Sequence, residues 1–455
     1  MSRKAAALGS LLAAALLLSG CGESDDGSGG SGSGSDGGSE SAAAEAKLLG
    51  QVPMAKVKKT EMVGAMGMWT TDKNFVKADL HKIVGYPLTG GKAEWTVPLG
   101  GEICWSSAEP TKDGLVAVLF QNAKKDPSVC TEVGLVDLNK GKLLWQKQAT
   151  DEYGSAQMFD EVTIGGGTVA AAGSLTDAGW KVTGEPLWKP SDDKCPVEGY
   201  AGSDDKLIAL RDCGEVDSPQ LSLQTVDPAT KAVKSTYKLP AGTENAHVVS
   251  TDPLVVGADG GDAKKGSSGA SEFLTIDDSG AQGKLLSTIS TVGGKYGKYK
   301  LDCPATEVTG CQQIAVTKDT LFLGTSEPSS AASEADNDLV AIDLKTGKQK
   351  GKAEGVAEGP LTPVGVADDG KVIAYQEASV VDEAGGAVWE LDPTTYKKTK
   401  VQQNPNATWE MEARFTTERR ILFAGERLYI GGEHVTAPST VFKKKQPLAA
   451  IFGAK

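Results

Sequence analysis

Histidine is almost missing from this chain: His81, His247 and His434 are the whole supply in 455 residues. They fall in different parts of the sequence with no motif around them, so no nucleophile–base pair is marked and each reads as a surface or strand residue. No two cysteines form a Cys-x-x-Cys pair, which with so little histidine leaves no zinc pattern. An excess of positive charge is also lacking. Lys and Arg number 47 against 60 Asp and Glu, a net charge of -13, and a phosphate backbone is bound through Lys and Arg. That charge reads as a contribution to solubility, and nucleic acid is excluded as a partner. Aromatic residues are 6% and helix-period apolar patterning is scarce, while glycine reaches 56, a balance that points to many short strands and turns. With 39% hydrophobic and 24% charged residues the chain is nonetheless of globular composition.

The one long apolar run is too short to span a bilayer comfortably. Arg3 and Lys4 precede Ala5 to Leu18, and small residues follow, the layout of a secretory signal. Leu18-Ser19-Gly20-Cys21 matches the bacterial lipobox, in which the cysteine is lipid-modified and the chain is cut just before it. Residues 1–20 are therefore expected to be a lipoprotein signal peptide and Cys21 the lipidated residue, with several acyl chains giving stable membrane attachment. From Gly22 to about Ser41 the sequence is nearly all Gly, Ser, Asp and Glu, and 21–46 is expected to be a hydrated tether. The implied location is extracytoplasmic, on the bacterial cell membrane.

From residue 47 onward the chain repeats. Leu135-Val136-Asp137-Leu138-Asn139-Lys140-Gly141-Lys142-Leu143-Leu144-Trp145 reads as two strands joined by a tight Asp/Asn/Gly turn. Aligned on the glycine of that turn, the hairpin recurs at Gly91, Gly141, Gly184, Lys231, Gly283, Gly347 and Tyr396. Before it lies a second turn followed by an apolar run, as in Lys112-Asp113-Gly114 ahead of Leu115 to Phe120. Each unit thus supplies four antiparallel strands, the size of one propeller blade. An incomplete eighth unit ends with Pro447 to Phe452, and its missing strand is found at the other end, in Lys47-Leu48-Leu49-Gly50. Pairing first strand with last closes the ring and removes the exposed edges. The expectation for 47–455 is an all-β, eight-bladed β-propeller, seven-bladed if the terminal unit does not form.

The outer-strand repeat resembles that of the pyrroloquinoline-quinone-like (PQQ-like) propellers, most closely in Asp137 to Trp145 and in Ala341-Ile342-Asp343-Leu344-Lys345-Thr346-Gly347-Lys348. That family contains quinoprotein dehydrogenases and non-enzymatic relatives. The resemblance implies that Trp95, Trp145 and Trp188, which share one slot of the repeat, dock blade on blade rather than stack a ligand. An enzyme of the family would need the quinone, calcium held by carboxylate and amide groups, and a catalytic aspartate; many also carry adjacent cysteines, which this chain lacks. Glu334-Ala335-Asp336-Asn337-Asp338 is acidic but has no calcium-loop spacing, and reads as a solvated loop. A PQQ-dependent dehydrogenase with degenerate motifs is accordingly the alternative to a binding or scaffolding module without a catalytic set or cofactor, and a sensor or accessory domain for envelope signalling is a third reading.

Removing Cys21 leaves an even six cysteines in an exported chain, which suggests disulfides. The repeat register groups them by unit as Cys104 with Cys130, Cys195 with Cys213, and Cys303 with Cys311. Gly165-Gly166-Gly167-Thr168-Val169-Ala170 fits a dinucleotide fingerprint by letters, but the register puts it at a propeller turn. Of the tryptophans outside the docking slot, Trp105 is expected to shield the Cys104 disulfide. Lys295-Tyr296-Gly297-Lys298-Tyr299-Lys300 is the one basic-aromatic patch, and Lys295, Tyr296, Lys298, Tyr299 and Lys300 are candidates for contact with an anionic wall polymer or an envelope protein. Lys443-Lys444-Lys445 offers a weak contact to anionic lipid.

Overall fold

The computed structural model describes residues 43–454, except 59–60, 124–127, 174, 192, 216–217, 261–268, 294–296, 327–335, 357–358, 416–418 and 438–445. It is an eight-bladed β-propeller of small antiparallel sheets. Blades 1 to 7 take residues 68–98, 103–148, 161–188, 197–238, 243–290, 299–353 and 361–403 in chain order. Blade 8 takes three strands from 419–453 and its outer strand, Lys47–Pro53, from the start of the described chain. Lys47 pairs with Gly453, Leu48 with Phe452 and Gln51 with Ala450, so the ring closes by the terminal strand pairing that the repeat implies. The sheet begins slightly before residue 47: Ala44–Glu45 adds in parallel to Lys398–Gln403 as a fifth strand of blade 7, and Ala46 is buried behind it. A ribbon of Met62–Gly64 against His434–Thr436 straps blade 1 to blade 8.

Middle strands such as Leu115–Gln121 and Thr168–Gly173 are almost wholly buried, because both faces meet neighbouring blades. Outer strands such as Lys142–Gln148 alternate or lie exposed. Core clusters straddle the blade seams; one joins Leu119 and Leu135 of blade 2 to Val162, Val169 and Trp180 of blade 3. Each such side chain contributes about 1.5–3 kcal/mol on burial.

Where an outer hairpin carries the recurring Asp, in blades 2 and 4 to 7, the Asp bonds to the turn it precedes. Asp137 Oδ1 accepts from Lys140 N at 2.9 Å, Asp343 Oδ1 from Thr346 N at 2.9 Å and Asp392 Oδ1 from Thr395 N at 2.7 Å. The residue four beyond the Asp turns left-handed: Gly141 has φ 60, Gly347 φ 66, and even the non-glycine occupants Lys231 and Tyr396 have φ 61. Gly283, six residues after Asp277, lies outside that region. Trp95 of blade 1 covers Gly141 of blade 2, and Trp145 of blade 2 covers Gly184 of blade 3 while donating its indole N–H to Val182 O at 2.8 Å. Trp188 of blade 3 meets Lys231 of blade 4, whose Nζ lies 5.7 Å from the ring centroid. Between blades 6 and 7 the pair is inverted: Gly351 stands in the tryptophan slot and Tyr396 in the glycine slot, so the tyrosine fills the space from the other side.

Gly165-Gly166-Gly167 closes a hairpin between Glu161–Gly165 and Thr168–Gly173, with Gly166 at φ 53 and Gly167 at φ 77. It is a propeller turn. Because strands 1 and 3 of each blade run the same way, the loops entering strand 1 and those joining strands 2 and 3 emerge at one end of the blade, here called the upper face. The disulfides Cys104–Cys130, Cys195–Cys213 and Cys303–Cys311 form as the register groups them, all at that end.

Candidate functional site: a plugged channel

Blade 6 lacks a simple inner strand. Tyr299–Lys300 and Ile314–Val316 both pair with Thr320–Thr325, and the segment between them, closed by Cys303–Cys311 and an Asp302–Gln312 bridge, leaves the blade. It enters the axial channel as a plug. Val308 at its tip is fully buried in the core cluster of blades 4 and 5. Val248 N of blade 5 donates to Val308 O at 2.7 Å, and His247 Nδ1 meets Glu307 O at 2.6 Å. An acceptor carbonyl requires the proton on Nδ1, and burial pushes the imidazole down towards its neutral form.

The other side of the plug is held by Glu161, at the start of blade 3's inner strand. Its carboxylate accepts Val308 N at 3.0 Å and the Thr309 hydroxyl at 3.4 Å. The carboxyl is buried, and desolvation pushes its pKa up to about 8 against the pull of those bonds. Gly199 of blade 4 is required here, since any side chain would collide with Glu161. Gly310 packs on the Trp105 indole of blade 2, and Gln312 Nε2 donates to Glu433 Oε1 of blade 8 at 3.2 Å. The loop therefore cross-braces five other blades through the axis.

Between the plug and the inner strands of blades 1, 2 and 8 lies a cavity of about 320 Å³, with Trp105, Ser106, Asp302, Gln312, Arg420 and Glu433 on its walls. Arg420 donates to Ala108 O at 2.7 Å and to Glu109 at 2.5 Å. Burial raises the Glu433 carboxyl, as does Asp302, while Arg420 and Lys77 oppose the shift. Lys77 lies behind this wall, wholly buried, its Nζ directed to the carbonyls of Ala65, Gly67 and Ala78. Burial pulls that amine down to about 7, yet three carbonyl acceptors match the three N–H bonds of the ammonium form.

Few of these groups are marked in the sequence. Cys303, Cys311 and Trp105 are; the last packs beside the Cys104–Cys130 bridge and also walls the cavity. His434 lines the cavity, and His247 is the strand residue expected, its ring completely buried. Asp302, Glu307, Gln312, Arg420 and Glu433 carry no local motif. Cys21, Lys295, Tyr296, Glu334, Ala335 and Lys443 to Lys445 lie outside the described residues. Lys298 is exposed, whereas Tyr299 packs on the blade 6 core and burial raises its phenol. The end of the acidic run is not a solvated loop: Asn337 is buried and exchanges two hydrogen bonds with the Leu361 backbone, and Asp338 holds Lys352 at 2.8 Å. Among the described residues no group of three or more His, Cys, Asp or Glu is placed to hold a metal ion, and no helix is long and apolar enough to cross a membrane.

The class these observations define is an eight-bladed β-propeller whose channel is stoppered by its own disulfide-closed loop. No family model and no curated protein matches the chain. Solved structures similar to it are propellers. The quinohemoprotein alcohol dehydrogenase ADHIIG from Pseudomonas putida HK5 aligns at 10% identity over 90% of this chain and 77% of its own, with TM-score 0.47. Dihydro-heme d1 dehydrogenase NirN aligns at 13% over 75% and 67%, TM-score 0.45. The WD40 repeats of RRP9 align at 9% over 74% and 91%, TM-score 0.41. These are likenesses of architecture.

Proposed function

We propose that the protein is a lipid-anchored, extracytoplasmic binding module of the bacterial cell envelope, which presents the cavity beside the plug and the loops of the upper face to its ligand or partner. The observation that carries this reading is the plug itself. Residues 302–312 fill the axis and pin blades together, which makes the disc rigid and leaves a preformed recess on one side. A rigid scaffold with loops gathered at one end is the arrangement in which loops carry recognition. The lipobox before Cys21 and the three disulfides support a place outside the cytoplasm.

A photo-crosslinking residue placed at Tyr153, an exposed upper-face position, or at Asn139, an exposed turn at the opposite end, separates the readings in intact cells. A discrete adduct from position 153 and none from 139 is expected. Adducts from neither position, or recovery of the chain in the cytosol, would contradict the proposal.

A further inference from the structure

We propose that the cavity beside the plug binds a neutral, polyhydroxylated small molecule about the size of one sugar ring. The inference rests on the binding-module reading and names the chemistry of its site. The ionic groups on the wall are already engaged inside the protein. Arg420 is taken up by Glu109 and the Ala108 carbonyl. Glu433 receives Gln312 and is pushed towards its neutral form, Glu307 accepts Thr306 N at 3.3 Å, and Asp302 has partners of its own. An anionic ligand would meet the carboxyls of Asp302, Glu307 and Glu433 against a guanidinium already paired with Glu109, whose unpartnered Nε–H is open to a neutral oxygen, and a cationic ligand would have to displace internal bonds.

Beside them stand groups that donate and accept at once: the Ser106 hydroxyl, the Thr309 hydroxyl, which gives its proton to Glu161 and keeps its lone pairs, and the Gln312 amide, which gives one N–H to Glu433 and carries an oxygen acceptor besides. Ligand hydroxyls, which also do both, are their natural complement. Trp105 supplies an independent observation. It lines the cavity, is only 9% exposed, and its indole N–H has no partner in the protein. A buried donor left unmade is unfavourable, so an acceptor oxygen from a ligand would be favoured there. The volume of about 320 Å³ is at the lower end for small-ligand pockets and limits the occupant to a compact molecule.

The purified full chain is titrated with D-glucose, D-galactose, D-mannose and myo-inositol, and in parallel with choline and succinate, read by calorimetry and tryptophan fluorescence. Saturable binding of at least one polyol is expected. Trp105→Phe, which keeps an aromatic wall but removes the N–H, should weaken it at least 10-fold at a temperature well below the variant's own melting point, and Gln312→Ala should weaken it too. Trp389→Phe, whose indole N–H is spent on Gln376, should leave affinity unchanged. Binding of choline or succinate without any polyol would overturn the ligand class while leaving the binding-module reading intact. Equal polyol affinity in the Trp105→Phe and Gln312→Ala proteins would overturn the site. Binding of none of the six compounds would overturn the proposal, and crosslinking from position 153 would still decide the broader reading on its own.

Discussion

Replacing Glu161 by Gln isolates the energetic signature of the plug. In the folded protein the carboxyl titrates at about 8, against 4.5 in an unfolded chain. Between those values the folded state binds one proton more than the unfolded state, so this group's contribution to stability is full below pH 4.5 and is lost as pH rises towards 8. One pKa unit corresponds to about 1.36 kcal/mol, and the contribution should therefore change by about 3–4 kcal/mol between pH 5 and pH 8. Glu161→Gln cannot ionise; it keeps one oxygen acceptor for Val308 N and turns an amide NH2 towards the Thr309 hydroxyl, which then accepts instead of donating. The assay is urea unfolding of wild type and variant at half-unit pH steps, read as the difference between them, which cancels the surface carboxylates whose slope runs the other way. The variant should gain on the wild type steadily as pH rises. Parallel curves, agreeing to within about 1 kcal/mol from pH 5 to pH 8, would mean that Glu161 is not a buried protonated clamp and would refute the account of how the plug is held.

The double change Cys303→Ser and Cys311→Ser opens a loop whose ends are 8 residues apart, and chain entropy gives a loss of about 2–3 kcal/mol, measurable as a lower urea midpoint. Gly141→Ala combines left-handed strain with a collision against Trp95, whereas Gly167→Ala meets strain alone because nothing lies within 4 Å. Gly167→Ala should cost about 1 kcal/mol and Gly141→Ala at least about 1 kcal/mol more, so equal melting temperatures would count against indole docking. Cys21→Ser should shift the full chain from the membrane to the soluble exported fraction, and unchanged membrane retention would exclude the lipid anchor.

How far the sequence could be read follows from the range of the interactions involved. The Asp-to-Gly hairpin is visible because its chemistry is local: Asp137 bonds to a turn three residues on, and Gly141 closes it. Sevenfold repetition of the hairpin then multiplies a weak local signal, and the half-unit at Pro447 to Phe452 finds its mate in Lys47 to Gly50 because pairing the two buries the edge each would otherwise expose. Cysteines paired by unit for the same reason. The site was not legible in this way. Glu161, Lys77 and His247 are polar letters in strands, and such letters ordinarily mark a solvent face; only the inserted loop and the neighbouring blades bury them. Their partners are distant in sequence, 147 residues between Glu161 and Val308, and no spacing rule connects them. The inversion of tryptophan and glycine into Gly351 and Tyr396 likewise erases the repeat signature while preserving the contact.

The central claim is that the chain's own loop, rather than a quinone cofactor, fills the axis of the ring. Thermal unfolding of the full chain, titrated with pyrroloquinoline quinone and calcium separately and together, tests it directly. A ligand at a hundred times its dissociation constant stabilises the folded state by about 2.7 kcal/mol, a readable rise in melting temperature. The account predicts no saturable shift under any of the three conditions. A saturable shift that needs both quinone and calcium would contradict it and make the propeller a dehydrogenase.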